Sequence, residues 1–226
     1  NEAGFTNEEL STHVRVLFMR HGNSIRIPRM LNNPELAYLG GLIAGDGSIY
    51  IKATRGMIRF YSNNRVLLNK VSSLISNLFG ITTKSVREDG KVPYVRTNSL
   101  IVSDILSAFG LKSGKKSHQM DISWITTSLG KKFLSNFLRG LFETDGWVYS
   151  RRREGSGIGF LTSSPKLAQK MQLLLLGFGI YSKVRKRKKK GVANHINGRE
   201  IITRSDQFCL EILGKENLVR FRDEIG

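Results

Sequence analysis

The chain has 226 residues, 40% of them hydrophobic, which is enough for one sizeable core or two small ones and excludes a disordered basic tail. Its 36 Lys and Arg against 18 Asp and Glu give a formal charge of +18, which makes a nucleic acid the leading candidate for a partner. No apolar run reaches the ~18 residues that span a bilayer, and the strongest basic run lacks an amphipathic helical pattern, so a membrane partner is not expected.

The N-terminal region, residues 1–33, is predicted to be an extension outside the main organisation of the chain. Thr6 and Glu9 form a capping box, which predicts a helix running toward Arg20. This region lacks the apolar core of a secretory signal, and Cys209 is the single cysteine, which excludes a disulfide framework within the chain. We therefore expect an intracellular protein, in the cytoplasm or nucleoid of a prokaryote or in an organelle.

The region 34–111 is predicted to form the first of two structural halves. Residues 34–44 have the apolar period of a helix, and the pair Asp46-Gly47 follows at the expected helix end. Alternating apolar residues and a second helical period predict the remaining elements: strands 48–54 and 57–62, helix 67–79, strands 84–88 and 94–97, and a closing helix 99–109.

The region 131–226 is predicted to form the second half, after a linker at 112–130 that has no strong period. Its predicted elements are helix 132–144, strands 147–151 and 158–162, helix 165–178, strands 182–189 and 199–203, and a closing helix 205–213. The order helix, two strands, helix, two strands and helix, used twice, predicts an α+β fold.

The two halves repeat each other in sequence. The nonapeptide LGGLIAGDG, which ends at Gly47, corresponds to LRGLFETDG, which ends at Gly146, at an offset of 99 residues. Phe60 corresponds to Phe160 at nearly that offset, and the later segment Phe-Gly-Ile at 79–81 corresponds to Phe-Gly-Ile at 178–180. A register kept over this length indicates an internal duplication rather than chance similarity between two helices.

Each nonapeptide contains a glycine and an aspartate with different roles. Gly41 and Gly140 lie within helices, where glycine costs roughly 1 kcal/mol relative to alanine, so we expect the two helices to pack closely there. Asp46 and Asp145 are predicted at helix C-termini, where a carboxylate is unfavourable by about 0.3–1 kcal/mol. One Asp-Gly pair is usually only a turn. Two copies that converge between parallel helices would repel each other, and divalent cations such as Mg²⁺ would relieve that conflict.

The two nonapeptides resemble the LAGLIDADG signature, and the chain from residue 34 onward is similar to single-chain, two-repeat LAGLIDADG homing endonucleases of introns and inteins. The resemblance implies two pseudo-symmetric αββαββα halves whose saddle-shaped antiparallel sheets straddle a long double-stranded DNA target. It implies that Asp46 and Asp145 bind Mg²⁺ and that one phosphodiester per strand is cut across the minor groove to leave 3′ overhangs. Mn²⁺ is expected to substitute, and Ca²⁺ to bind without efficient cleavage.

The family also places a basic residue near each active centre. Lys116 and Lys215, each 70 residues after its aspartate, are our candidates for these positions, and Lys112 and Lys115 are alternatives.

Basic residues in the predicted strands and hairpins are candidates for DNA contacts. They are Lys52, Arg55, Lys84, Arg87, Arg96, Arg151, Arg152, Arg153, Lys183, Arg185, Arg187 and Lys189. Arginines can read guanine edges, whereas lysines suit phosphates. The run 183–190 has an alternative interpretation as a solvated loop or as protection of an edge strand.

Three other functions are compatible with the same scaffold. An intron RNA maturase would bind RNA, and a non-catalytic DNA-binding regulator would be expected to have lost the acidic pair. The third is an endonuclease domain cut from an intein, for which self-splicing would need a Cys or Ser at the start and a His-Asn pair at the end. The retained Asp46 and Asp145 favour a nuclease, and self-splicing is not expected. We expect the nuclease to act as a monomer, because one chain carries both repeats.

Overall fold

The structure of the protein is a computed structural model that describes residues 16–17, 25–26, 33–107, 111, 122, 129–151, 155–187, 190–196, 199–202 and 205–226. Its described helices are α1 (Pro34–Asp46), α2 (Arg65–Phe79), α3 (Leu100–Ser107), α4 (Lys131–Asp145), α5 (Pro165–Gly177) and α6 (Lys215–Glu224). Its described strands are β1 (Val16–Leu17), β2 (Ile25–Arg26), β3 (Gly47–Lys52), β4 (Arg55–Tyr61), β5 (Lys84–Val86), β6 (Tyr94–Asn98), β7 (Gly146–Arg151), β8 (Gly155–Thr162), β9 (Ser182–Arg187), β10 (Ala193–Ile196), β11 (Arg199–Ile202) and β12 (Gln207–Leu213).

The fold is α+β, as predicted, with two four-stranded antiparallel sheets that have equivalent strand orders. The first sheet has the order β3-β4-β6-β5 and the second the order β7-β8-β12-β9. In both, the strand that follows a motif helix pairs with its neighbour in the same register, Gly47 with Phe60 and Gly146 with Phe160. The duplication seen in the sequence is therefore also a duplication of strand pairing.

Helices α1, α2 and α5 begin after residues whose side chains cap them. The side chain of Asn33 accepts hydrogen bonds from the backbone of Glu35 and Leu36 at 2.8 and 3.2 Å, and Pro34 occupies the first turn of α1. Asn64 and Ser164 cap α2 and α5 in the same way. These caps explain why the helix that follows the first strand pair of each half begins where its periodicity predicts.

The end of the second half differs from the sequence prediction. A closing helix is predicted at residues 205–213, but Gln207–Leu213 is strand β12, which lies between β8 and β9. Phe208, Leu210 and Ile212 alternate along it, with Leu210 and Ile212 buried against the core, which is the period of a half-buried strand. The closing helix is α6, and it begins after Gly214, whose φ of 87° ends the strand.

The predicted pairing of strand 182–189 with strand 199–203 is also wrong. Strand β9 pairs with β12, and β11 pairs with β10 in a separate two-stranded sheet. The second half therefore carries a hairpin, 193–202, that has no counterpart in the first half. The sequence Asn-Gly at 197–198 between β10 and β11 is a strong hairpin turn signal, although those two residues lie outside the described part.

In the N-terminal extension, Val16–Leu17 pairs with Ile25–Arg26 as antiparallel strands. The prediction of a helix that continues through residue 17 toward Arg20 is therefore wrong. Cross-strand hydrogen bonds there satisfy the backbone that a helix would have satisfied locally. The remainder of the predicted helix lies outside the described residues. Most of the predicted linker, 112–130, also lies outside the described residues. Ile122 of the linker is described and is buried in the core, and so is Leu111, the last residue of the predicted first half.

One apolar core holds both halves together. It is built from the two motif helices, the inner faces of the two sheets and the helices that cover those faces, with Phe60, Phe137 and Phe160 among its largest fully buried side chains. The second face of the first sheet is directed away from this core, as the alternating burial of β4 shows. In the second sheet the start of the edge strand β9 alternates in the same way. Within the described residues, no helix has the length and apolarity needed to cross a membrane.

Candidate active centre and nucleic-acid interface

Helices α1 and α4 pack against each other at a pair of glycines. A Cβ atom on Gly41 would overlap the backbone oxygen of Phe137, and one on Gly140 would overlap the backbone oxygen of Tyr38. Phe137 and Tyr38 occupy equivalent motif positions, so the two clashes are related by the internal pseudo-dyad. The close approach explains the glycines, because any larger residue would separate the helices.

The same helices remain in contact at their C-terminal ends. A Cβ on Gly45 would overlap the hydroxyl of Thr144, and these two residues occupy equivalent positions in the two motifs. The next residues, Asp46 and Asp145, are the last of their helices. Two carboxylates are therefore attached to neighbouring backbone positions at the pseudo-dyad, with Asp46 exposed and Asp145 half-buried.

This pair of carboxylates suits a hard divalent cation. Mg²⁺ is commonly held by one or two protein carboxylates, with water and substrate phosphate oxygens completing its six ligands. In the part of the chain that the structure describes, no cluster of three or more His, Cys, Asp or Glu side chains that could hold a metal ion is present. An open centre with two carboxylates at the negative ends of two helix dipoles fits the magnesium prediction.

A polar network fastens the two motif helices on one side of the pseudo-dyad. The hydroxyl of Tyr38 donates a hydrogen bond to Glu143, and Lys70 of α2 lies 3.5 Å from the other carboxylate oxygen of Glu143. The ammonium of Lys70 also lies 4.4 Å from the ring centroid of Tyr38. At the equivalent positions on the other side are Phe137 and Ala44, which are apolar. The network thus occurs once and distinguishes the two sides of the helix pair.

Tyr38 should make the stability of the protein sensitive to alkaline pH. Burial, reinforced by the hydrogen bond to Glu143, holds the pKa of Tyr38 well above its usual value of 10.0. Above about pH 10 the unfolded chain loses this proton while the folded chain keeps it, so the free energy of unfolding should fall as pH rises. We expect Tyr38→Phe to lower that free energy by about 1–3 kcal/mol at pH 7 and to flatten the decline above pH 10.

The measurement is denaturant unfolding between pH 7 and 11, with Tyr181→Phe as the matched control because Tyr181 is 68% exposed. An equally steep alkaline decline in Tyr38→Phe and the wild type would show that Tyr38 does not contribute to it.

The outer face of the first sheet is basic. Lys52, Arg55, Lys84 and Arg96 lie on it, and Arg87 is exposed just after β5. The four strands of this sheet contain no acidic residue. A face of this kind, left uncovered by helices, is suited to phosphates.

Arg59 also lies on this face and was missed by the sequence analysis. It is directly opposite Arg96 on the neighbouring strand, where like charges repel. Within the described residues, the buried Nε atoms of Arg59 and Arg96 have no hydrogen-bond partner, an arrangement that costs about 1–3 kcal/mol for each such donor. The alternation of residues in β4 could have placed Arg59 on the outer face from the sequence. That Arg59 lies opposite Arg96 follows only from the register of the sheet.

On the second sheet, Lys183, Arg185 and Arg187 lie on the outer face of the edge strand β9, while Val184 packs against the core. Lys186 lies on the opposite side and pairs with Asp206 at 3.0 Å. The predicted contact residues Arg152, Arg153 and Lys189 lie outside the described residues, and only the backbone of Arg151 is described. Part of the basic run therefore lies on the outer face of the sheet, and Lys186 is instead held in an ion pair near the end of the strand.

The two candidate lysines are not brought together with the aspartates. Lys116 lies outside the described residues. Lys215 is the first residue of α6 and lies beside Gly155 and Ser156, at the end of the β7–β8 hairpin that is remote from Asp145. The first residue of the corresponding helix in the other half is Leu100, so the 70-residue spacing does not mark equivalent positions. A catalytic role for Lys215 stays a prediction that this placement does not favour.

These features define a protein built from two motif helices, two sheets and a paired carboxylate centre, and the chain belongs to the family with a LAGLIDADG-like domain, whose model matches residues 33–110 and 132–226. Among solved structures it is similar to I-DmoI in complex with DNA and Ca, at 17% identity and a TM-score of 0.57, over 86% of this chain and 90% of that one. It is also similar to the N-terminal LAGLIDADG domain of WhiA, at 15% identity and a TM-score of 0.52, over 87% of this chain and 82% of that one. These likenesses establish the fold.

Several curated relatives match nearly the whole chain but only part of their own length. Translation initiation factor IF-2 of Methanocaldococcus jannaschii is 27% identical over 88% of this chain and 16% of its own. RecA of Mycobacterium tuberculosis is 26% identical over 92% of this chain and 28% of its own length. The replicative helicase DnaB of Rhodothermus marinus is 28% identical over 94% of this chain and 23% of its own length. The chain thus spans less than a third of the length of each.

Proposed function

We propose that the chain is a site-specific, metal-dependent endonuclease that hydrolyses one phosphodiester in each strand of a long DNA duplex. The observation that carries the proposal is the contact between Gly45 and Thr144, since it joins the helix ends that carry Asp46 and Asp145. A purely structural helix pair would have no need for a carboxylate at each unfavourable C-terminus. A basic outer face beside the pair supplies the complement to a DNA backbone.

The chemistry follows from where the residues lie. Divalent cations bound by the two aspartates would supply the positive charge that stabilises the attacking and departing oxygens of a phosphodiester. Asp46 and Asp145 would hold such cations between the two motif helices, with one carboxylate from each half of the protein. The arginines of the first sheet would hold the backbone on either side by charge-assisted hydrogen bonds. By the family resemblance, we propose cuts across the minor groove with 3′ overhangs.

The curated relatives support the view that the segment similar to this chain is a unit of its own, independent of the activity of the protein that carries it. An initiation factor, a RecA protein and a helicase differ in name and role, yet each has a segment similar to nearly all of this chain. The shared property must therefore lie in the segment. We propose that this property is DNA cleavage and that the unit acts as a monomer, because both carboxylates come from one chain.

A non-catalytic DNA-binding protein is the second candidate, favoured by the likeness to the LAGLIDADG domain of WhiA. The two candidates share the prediction of DNA binding and differ in cleavage. Incubation of the protein with Mg²⁺ and a plasmid library that carries randomised duplex inserts separates them. Cleavage predicts linear plasmids whose sequenced ends share a long common site with staggered cuts. Enrichment of bound plasmids without any linear product would support the regulator.

Calcium should separate binding from cleavage. Ca²⁺ accepts the same oxygen ligands as Mg²⁺ but is larger and imposes a less strict geometry. We expect a gel-shift complex with a selected duplex in Ca²⁺, no efficient cleavage of that duplex, and cleavage after replacement by Mg²⁺ or Mn²⁺. Efficient cleavage in excess chelator would show that the metal-dependent proposal is wrong.

The first sheet should carry a measurable part of the phosphate contacts. If Arg59 and Arg96 each neutralise a phosphate, the double variant Arg59→Gln/Arg96→Gln should bind more weakly and flatten the slope of log K against log salt by roughly 0.9 for each phosphate that is no longer neutralised. The control with the same charge change is Lys166→Gln/Lys170→Gln on α5, which covers the inner face of the second sheet. A slope unchanged in the arginine variant would remove these residues from the DNA path.

A further inference from the structure

The two sheets present different chemistry at equivalent positions next to the aspartates. On the outer face of each sheet, one residue from each of the four strands lies in a row of cross-strand neighbours. This outer row begins two residues after the motif aspartate. In the first sheet the row is Ser48, Arg59, Arg96 and Lys84. In the second sheet the row is Trp147, Gly159, Glu211 and Lys183. The positively charged centre of the first row is thus replaced by glycine and a carboxylate in the second.

Glycines on β8 allow aromatic rings to lie flat on the second sheet. A Cβ on Gly159 would overlap the indole of Trp147, and a Cβ on Gly157 would lie 2.6 Å from the phenol ring of Tyr149. Both rings therefore cover the neighbouring strand instead of projecting from the sheet, and both glycines are buried beneath them. Trp147 keeps 37% of its surface exposed, so its uncovered side faces away from the protein core.

The charges around this aromatic surface are largely compensated. Glu211 lies in the same row as Trp147 and forms an ion pair with Arg185 at 3.2 Å, with only 15% of the Glu211 side chain exposed. The first row lacks an ion pair of this kind among the described residues, because the strands of that sheet contain no acid and the Nε atoms of Arg59 and Arg96 have no hydrogen-bond partner. Arg59 does interact electrostatically with Glu88, just after β5.

We propose that Trp147 and Tyr149 form an apolar reading surface that selects thymine methyl groups in one half of the target, whereas Arg59 and Arg96 bind phosphate or guanine in the other half. The proposal rests on the DNA binding put forward above. The C5-methyl of thymine is the apolar group that a base pair presents in the major groove, and flat apolar side chains recognise it by contact. Guanine O6 and N7, in contrast, accept hydrogen bonds from arginine.

The positions of these rows place the discrimination close to the cleavage centre. Trp147 follows Asp145 by two residues, and Gly146 between them already belongs to β7. The base steps that contact Trp147 are therefore those nearest the scissile phosphate of the second half. Ser48 occupies this place in the first half, so the two half-sites should differ in sequence preference even though the protein halves share one fold.

The test starts with selection of duplexes from a randomised library, in Ca²⁺, by the wild type and by variants. The wild type should enrich thymine at one or two positions on one side of the site. Gly159→Ala, which displaces the indole, and Trp147→Ser, which copies the first half, should each relax that preference while the other half-site is unchanged. Arg96→Gln is the matched control, because it should alter only the other side.

A second arm leaves the protein unchanged. Each enriched thymine is replaced by deoxyuridine, which removes only the methyl group, and the wild-type affinity should fall about fourfold per methyl group contacted. Unaltered affinity for all deoxyuridine duplexes, or unaltered selection by both Trp147→Ser and Gly159→Ala, would overturn the inference while leaving the proposed endonuclease in place. Failure of the wild type to enrich any duplex would overturn both.

Discussion

We expect Asp46→Asn and Asp145→Asn each to abolish double-strand cleavage. DNA binding by either variant should stay near that of the wild type. The substitution keeps the side-chain volume but removes a negatively charged metal ligand, whereas the phosphate contacts lie on the sheets. Stabilisation by a metal is worth several kcal/mol, so the single-turnover rate should fall by about a thousandfold or more. The measurement is cleavage of a selected duplex in Mg²⁺ beside a binding titration in Ca²⁺.

The control for this pair is Asp104→Asn on α3, which makes the same charge change at an exposed site in the closing helix of the first half. It should cleave at the wild-type rate. Full cutting of both strands by either motif variant would show that the active centre lies elsewhere.

The second large effect is expected from Gly41→Ala and Gly140→Ala. The new methyl group on Gly41 would overlap the backbone oxygen of Phe137 and lie 3.0 Å from the Cα of Gly140, and neither group can move without moving a helix. Overpacking of this kind costs about 1–3 kcal/mol or more, and it outweighs the ~1 kcal/mol that alanine gains over glycine in a helix. Separation of the helices would also move the two aspartates apart. Cleavage should therefore fall in the fraction that remains folded.

Denaturant unfolding and single-turnover cleavage measure these two effects separately. Gly177→Ala is the control, since it replaces the last residue of α5, where a Cβ would meet no atom within 4 Å. It should be neutral or stabilising. If Gly41→Ala were as stable and as active as Gly177→Ala, the close packing of the motif helices would not be what positions the carboxylates.

The parts of the fold that the sequence predicted well are those determined by local patterns. The motif helices and the first strand pair of each half follow from the periodicity of their apolar residues, which is a short-range signal. The prediction failed for β12, because an almost continuous apolar run such as 208–213 is compatible with either a strand or a helix. Only the partners β8 and β9, distant in sequence, determine that it forms a strand.

The candidate site shows the same division. Asp46 and Asp145 could be proposed from the sequence because the duplication marks them at equivalent places, and the Gly45–Thr144 contact brings their helix ends together. The sequence did not single out Arg59 or Trp147, because the roles proposed for them depend on cross-strand neighbours and therefore on the sheet register. The proposed equivalence of Lys116 and Lys215 assumed a constant offset, which the inserted hairpin 193–202 interrupts.

Metal binding by the paired aspartates is tested most directly by titrating Mn²⁺ into the protein with a selected duplex and following the free ion by electron paramagnetic resonance. The wild-type complex should bind Mn²⁺ tightly, each of Asp46→Asn and Asp145→Asn should lose affinity or sites, and the double variant should lose tight binding altogether. Tight Mn²⁺ binding by the double variant, equal in number and affinity to that of the wild type, would contradict a metal centre at Asp46 and Asp145.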